Sequence, residues 1–208
     1  MRFSHLLYIF LSYFLLNTTS AQVEPKYPTD YFRSPIEGRI YLSGTFGELR
    51  SNHFHAGIDI KTAGSVGKNI YAAADGWISR IKISPWGYGN AVYMEHPNGY
   101  TTVYGHLKEL KGDVTEYIKQ QQYKKQSFAV DLYLKANQFP VTKGDIIALS
   151  GNSGGSGGPH LHFEIRETAN QEPINPLLFG IEVKDYITPT IQSIRIFPAE
   201  EGALVQGK

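Results

Sequence analysis

Glycine and proline interrupt this chain at short intervals, and the punctuation restricts most segments between them to the length of a strand. Within those segments the residues alternate in polarity or run β-branched and aromatic. GRIYLSGTFG, GWISRIKIS, NAVYMEH, YTTVYGHL, DIIALSG and HLHFEIR all read as short strands, with turns such as HPNGY between them. The pattern predicts an all-β domain built on an antiparallel sheet of sandwich or barrel type. Asp113 to about Gln126 departs from it. Val114, Tyr117 and Ile118 recur there at helical spacing, and Asp113 and Glu116 stand at the spacing of a capping box. A short surface helix is expected, with Lys124 and Lys125 as its solvated end.

The two ends of the chain read differently. Arg2, the uncharged run Leu6–Leu16 and the small residues before Gln22 form the three-part layout of a secretory signal peptide, with cleavage expected after Ala21. The apolar run is well short of the roughly 20 residues that span a bilayer, so no stable membrane span is expected once it is removed. An exported protein, periplasmic or extracellular, follows from that reading. Loss of residues 1–21 takes Arg2 from the 20 basic residues and leaves 19 against 19 acidic ones. No basic run is interleaved with aromatics, so nucleic acid is not expected as a partner. Residues 22–37 form an N-terminal segment, placed where a pro-segment would lie. Residues 183–208 read as a linker followed by the start of a C-terminal β extension.

The chain has no cysteine, so any metal must be held by His, Asp or Glu. Four of its seven histidines fall in two short stretches, NHFHAGIDI and GPHLHFEIR. If the second is a strand, His160, His162, Glu164 and Arg166 share one face, and Leu161, Phe163 and Ile165 the apolar other. Two imidazoles two residues apart can approach one ion, or can simply belong to the polar outer face of a sheet. In a regular strand His55 and Asp59 would lie about 13 Å apart, at roughly 3.3 Å per residue. A bend at Ala56–Gly57, where glycine tolerates unusual dihedrals, would fold Asp59 back beside His55.

Two histidines and an aspartate suit a catalytic zinc. They fill three tetrahedral positions and leave the fourth to a water whose pKa the metal lowers towards about 7. Hydrolysis then needs a proton acceptor and donors for the developing oxyanion, which spare histidines can supply. His106 in YGHL is one such spare. His53 shares parity with His55 and is a candidate to support it, and His96 beside the Pro97–Gly99 turn reads as a loop residue. SGNSGGSGGPH lacks the Lys-Ser/Thr ending of a phosphate-binding loop and precedes a strand. It fits either the wall of a peptide groove or a plain connector.

Together these segments resemble peptidase family M23, the lysostaphin- and LytM-like zinc endopeptidases of bacterial cell walls. HFHAGIDI, TVYGHL and SGGPHLHFEIR carry the resemblance, with YAAADGWISRI, GYGNAVYMEH and VTKGDIIALSGNSG around them. It implies the family's β domain, the duplicated hybrid motif, over residues 38–182. It implies Zn2+ held by His55, Asp59 and His162, with His106 and His160 as the catalytic pair. Spacing alone does not separate His160 from His162; the resemblance does. It also implies peptidoglycan peptides as substrate, or, for a non-catalytic relative, a wall-peptide-binding regulator of other hydrolases. Residues 108–140 exceed the family's compact link and are expected to lie beside the groove and narrow it.

Overall fold

The computed structural model describes residues 27–186 and, beyond them, Thr188, Thr190, Ile191 and Ile194; the signal-peptide reading and most of the expected C-terminal extension fall outside those residues. In chain order the elements are β1 (Leu42–Gly44), β2 (Ile58–Lys61), β3 (Asn69–Tyr71), β4 (Gly76–Ile83), β5 (Asn90–Glu95) and β6 (Tyr100–Leu110). After these come α1 (Val114–Lys125), β7 (Val130–Tyr133), β8 (Pro140–Val141), β9 (Ile146–Ser150), β10 (His160–Glu167) and β11 (Pro173–Ile174). A short 3-10 turn, Pro176–Phe179, closes the series. All strand pairs are antiparallel and join in one sheet, with the path β1-β2-β10-β6-β5-β4-β7. The expected all-β class is what the chain adopts.

The alternation in β10 decides which way this sheet faces. Leu161, Phe163 and Ile165 are fully buried and meet Ile58 and Ile60 of β2 and Tyr104 of β6 in the main core. Burying each such side chain contributes about 1.5–3 kcal/mol. The opposite face carries His162 and Glu164 and a small apolar group of Ala91, Tyr93 and Val103 with Tyr88 packed against it. Along the edge away from β5, β6 has two neighbours in turn. Tyr100–Gly105 pairs with β10, and Leu107–Leu110 pairs with β9. The change of partner falls at His106, which takes a left-handed backbone (φ 57°), a conformation uncommon outside glycine.

The helix lies where its periodicity placed it, and Val114 and Ile118 are buried. The capping box does not form: Asp113 stands at the N-cap with helical backbone angles, and its side chain makes no capping bond. The segment 108–140 is not beside the groove. Its strands β7 and β8 extend the sheet on β4, with β7 at the opposite end of the strand path from β1 and β2. At the other end of the domain, Phe32 and Ile36 are buried in the main core, so the described part of the N-terminal segment is built into the fold. Among the described residues no helix is long and apolar enough to cross a membrane.

Candidate metal centre

Antiparallel pairing of β2 with β10 sets Asp59 directly opposite His162. His55 arrives from the hairpin that precedes β2. In that hairpin Leu49 bridges Phe54, and the His55 N–H donates to the Glu48 carbonyl. The chain then bends, so His55 Nε2 lies 3.1 Å from Asp59 Oδ1 instead of the strand separation of about 13 Å. The bend was expected, but the reason for its glycine differs. Gly57 has no left-handed backbone. A Cβ there would stand 2.3 Å from the Phe163 carbonyl oxygen, so glycine is required by the close approach of β10.

Asp59 Oδ1, His55 Nε2 and His162 Nδ1 form a triangle with sides of 3.0–3.1 Å, buried on all three residues. The hydrogen bonds behind this triangle decide what it can hold. His55 Nδ1 donates to the Thr45 carbonyl at 2.8 Å, and His162 Nε2 donates to Glu164 Oε1 at 2.7 Å. Each neutral imidazole has one ring proton, and both protons point outward. With both rings neutral, three lone pairs therefore converge on one point, an arrangement that repels itself unless a proton or a metal ion sits there. Tetrahedral zinc with bonds of about 2.0–2.1 Å separates its donors by roughly 3.3 Å. The donor set fits that ion.

Charge around the triangle is arranged to keep Asp59 ionised. Burial pushes its carboxyl pKa up, but the imidazoles of His160, His162 and His55 outweigh that and hold it far below the usual carboxylate range. Arg50 Nη2 adds an ion pair to Asp59 Oδ2 at 2.8 Å. Glu164 has no exposure; burial raises its pKa, and His162 and Arg166 together bring it below the ordinary value.

His106 and His160 stand beside the triangle with ring centroids 4.7 Å apart. His106 Nδ1 donates to the Ser153 carbonyl and His160 Nδ1 to that of Gly158, each at 2.8 Å, so both turn Nε2 inward. Their basicities diverge. Burial pushes His106 down to about 4, whereas the bond to Asp59, at 3.4 Å, raises His160. The two can thus hold opposite protonation states side by side.

These side chains line a cleft of about 320 Å³. Its walls include Arg50 and His53 of the hairpin on one part, and Gly87, Tyr88 and Gly155–Gly157 on another. None of its lining residues comes from 108–140 or from the N-terminal segment. The glycine-rich stretch is a fixed wall, not a loose connector. The Gly155 N–H donates to the Gly87 carbonyl, and a Cβ on Gly154 would strike that same oxygen at 2.4 Å. His53 is exposed and bonds Asn52, with no contact to His55 through its ring nitrogens. His96 stands in the turn between β5 and β6, as expected, but its ring does not face solvent. It is buried, with Nδ1 donating to the Asp75 carbonyl and Nε2 facing the Thr102 hydroxyl, each at 2.8 Å. Sequence reasoning missed Arg50 and Tyr88, whose ring stacks on His162 at 4.7 Å. Neither carries a periodic signal; only the folded loops bring them in.

Comparison with known proteins follows the same lines. Residues 53–124 and 126–176 match the model of peptidase family M23. The DD-carboxypeptidase/endopeptidase Mpg of Neisseria meningitidis is 34% identical over 149 residues, which cover 68% of this chain and 28% of that protein. The murein hydrolase activator NlpD of Escherichia coli is 32% identical over 152 residues, 73% of this chain and 32% of that one. The matched region thus spans about a third or less of these curated relatives. A mutant catalytic domain of the prophage-encoded M23 protein EnpA from Enterococcus faecalis shares the fold, with a TM-score of 0.50 at 24% identity over 74% of this chain and 98% of its own.

Proposed function

The chain belongs to peptidase family M23, and on that premise we propose that it is an exported zinc endopeptidase that hydrolyses peptide cross-links of peptidoglycan. The single observation that carries this reading is the triangle of lone pairs at His55, Asp59 and His162, closed from behind by the Thr45 carbonyl and Glu164. Zinc bound there supplies Lewis-acid polarisation of a scissile carbonyl and makes a water acidic enough to attack at neutral pH.

The remaining steps fall to the side chains. A peptide lies extended in the cleft between the hairpin and the glycine wall. His106, whose only ring proton is held by Ser153, accepts the proton of the attacking water at Nε2. His160 presents its protonated Nε2 to the carbonyl oxygen as negative charge develops there. The leaving amide nitrogen then takes up a proton from the same pair. In this reading residues 1–21 are removed on export, 38–182 form the peptidase unit with 108–140 as its insertion, and 183–208 lead into further β structure.

A second reading rests on the likeness to a murein hydrolase activator: a module that binds wall peptides and regulates other hydrolases without cutting. Purified wall fragments incubated with the protein, with and without chelator, separate the two. New amine termini that vanish with chelator are expected. Their absence in both samples would favour the regulator.

A further inference from the structure

We infer that Glu164 is a positioning residue for the metal centre, setting the tautomer of His162 so that Nδ1, not Nε2, faces the ion; this rests on the reading of His55, Asp59 and His162 as metal ligands. Glu164 does not line the cleft and is not one of the three donors of the triangle. It lies two residues along β10 from His162 on the same face, fully buried, with one oxygen on each of two partners. Oε1 accepts from His162 Nε2 at 2.7 Å, and Oε2 accepts from Arg166 Nε.

Its surroundings leave it no other pose. Gly57 packs so closely that a Cβ there would stand 2.7 Å from Glu164 Cγ. Tyr88 lies flat on the His162 ring, and its hydroxyl is 3.5 Å from Arg166 Nη2. The Arg166 guanidinium in turn sits 5.9 Å from the Tyr93 ring centroid. The carboxylate is thus clamped between a donor that must stay a donor and an imidazole whose ring is held in place. An arginine side chain has no acceptor, so Oε2 must accept. Oε1 therefore also faces a donor, and that donor is the one proton of neutral His162. The proton is drawn to Nε2, and the Nδ1 lone pair is left for the ion. A carboxylate behind a metal-bound imidazole acts in this way in general, and its loss typically lowers metal affinity 10–100-fold.

The clamp makes an asymmetric prediction that a packing role does not. In Glu164→Gln the amide has one acceptor and one donor end. Arg166 claims the acceptor, so the amide N–H2 faces His162 Nε2, which must then accept. The ring proton moves to Nδ1, into the triangle, and the lone pair needed there is gone. Adding Arg166→Met removes that demand while keeping an unbranched side chain. The glutamine oxygen can then turn to His162 and restore the original tautomer.

The test is zinc affinity of the full chain by chelator competition, for the parent, Glu164→Gln, Arg166→Met and the double variant, each checked for a cooperative thermal transition. Expected is a loss of about 10–100-fold in Glu164→Gln and recovery of most of it in the double variant. Zinc affinity unchanged in Glu164→Gln, or a double variant no better than the single one, overturns the inference while leaving the metal centre intact. A parent that binds no zinc removes the centre and the role of Glu164 together. If Glu164→Gln does not fold, nitrogen-15 correlations of the zinc-loaded parent still decide. The His162 ring proton is expected on Nε2, and a proton on Nδ1 overturns the assignment.

Discussion

Asp59 and His162 are register partners across β2 and β10, and Asp59 Oδ1 lies 3.0 Å from His162 Nδ1. Two pieces of chain about a hundred residues apart therefore meet in one donor set, with His55 3.1 Å from the same oxygen. His55→Ala or Asp59→Ala leaves only two of the three donors. Either variant is expected to lose stoichiometric zinc, measured as metal content after gel filtration, and to release no new amine termini from wall fragments. Full turnover by His55→Ala in chelator-treated buffer would rule out the metal mechanism.

Removal of the ion should also be visible without any substrate. The converging lone pairs of the triangle repel one another, so a cation that binds only the folded chain stabilises it by mass action. At a free concentration of 100 Kd the gain is about 2.7 kcal/mol. Chelator is expected to lower the thermal midpoint of the parent and added zinc to restore it. Asp59→Ala should show no zinc-dependent shift. An equal shift in both proteins would place the stabilising ion elsewhere.

His106 is held apart from the triangle by its bond to Ser153, and it occupies the left-handed backbone position where β6 changes neighbours. Its imidazole is therefore expected to serve the reaction and not the ion. His106→Ala should keep zinc at one equivalent and reduce wall-peptide hydrolysis by about 10²–10⁴-fold, the usual worth of a general base. Loss of zinc along with activity would make His106 a ligand-supporting residue instead.

Much of this was legible in the residues because β periodicity is local. The alternation in HLHFEIR put Leu161, Phe163 and Ile165 in the core and the histidines on the other face, as found. The helix was legible too, but not its start, since a capping box requires backbone angles at Asp113 that the turn before it does not adopt. Register, which pairs Asp59 with His162, is a long-range property that no local pattern encodes. The same holds for Arg50 and Tyr88, which reach the site from a hairpin and a loop with no period. His96 lies in the turn that Pro97–Gly99 marks, but no local pattern tells that its imidazole points inward to Asp75 and Thr102.

That inward histidine gives the fold a pH dependence of definite sign. Burial lowers the pKa of His96, so the folded chain holds it neutral while the unfolded chain protonates it near its ordinary value of about 6.5. Its stabilising contribution is complete above about pH 6.5 and declines as the pH falls below it. His96→Gln keeps a donor for the Asp75 carbonyl and an acceptor for Thr102 but cannot be protonated in this range. The thermal midpoint of the parent should drop more steeply between pH 7.5 and 5.5 than that of the variant. Both proteins carry the same cleft histidines, so the difference isolates His96. Parallel curves would mean that His96 takes up its proton as readily in the fold as in the unfolded chain.

Gly57 links the fold to the metal centre through space that only a hydrogen can occupy. A methyl group there meets the Phe163 carbonyl oxygen, part of the backbone of β10, and not a side chain that can swing away. Phe163 pairs with Ile58 in the ladder, so β2 and β10 must separate locally to admit it. Overpacking of this kind costs about 1–3 kcal/mol. The separation falls next to the Asp59–His162 pair, so Gly57→Ala is expected to lower both the urea midpoint and zinc affinity. Gly158→Ala is the control, because a Cβ there meets nothing within 4 Å and its backbone is not left-handed. It should stay within about 0.5 kcal/mol of the parent, as surface substitutions usually do. A Gly57→Ala protein as stable as that control would show that β10 yields to the methyl group, and the close approach would not be what fixes glycine at this position.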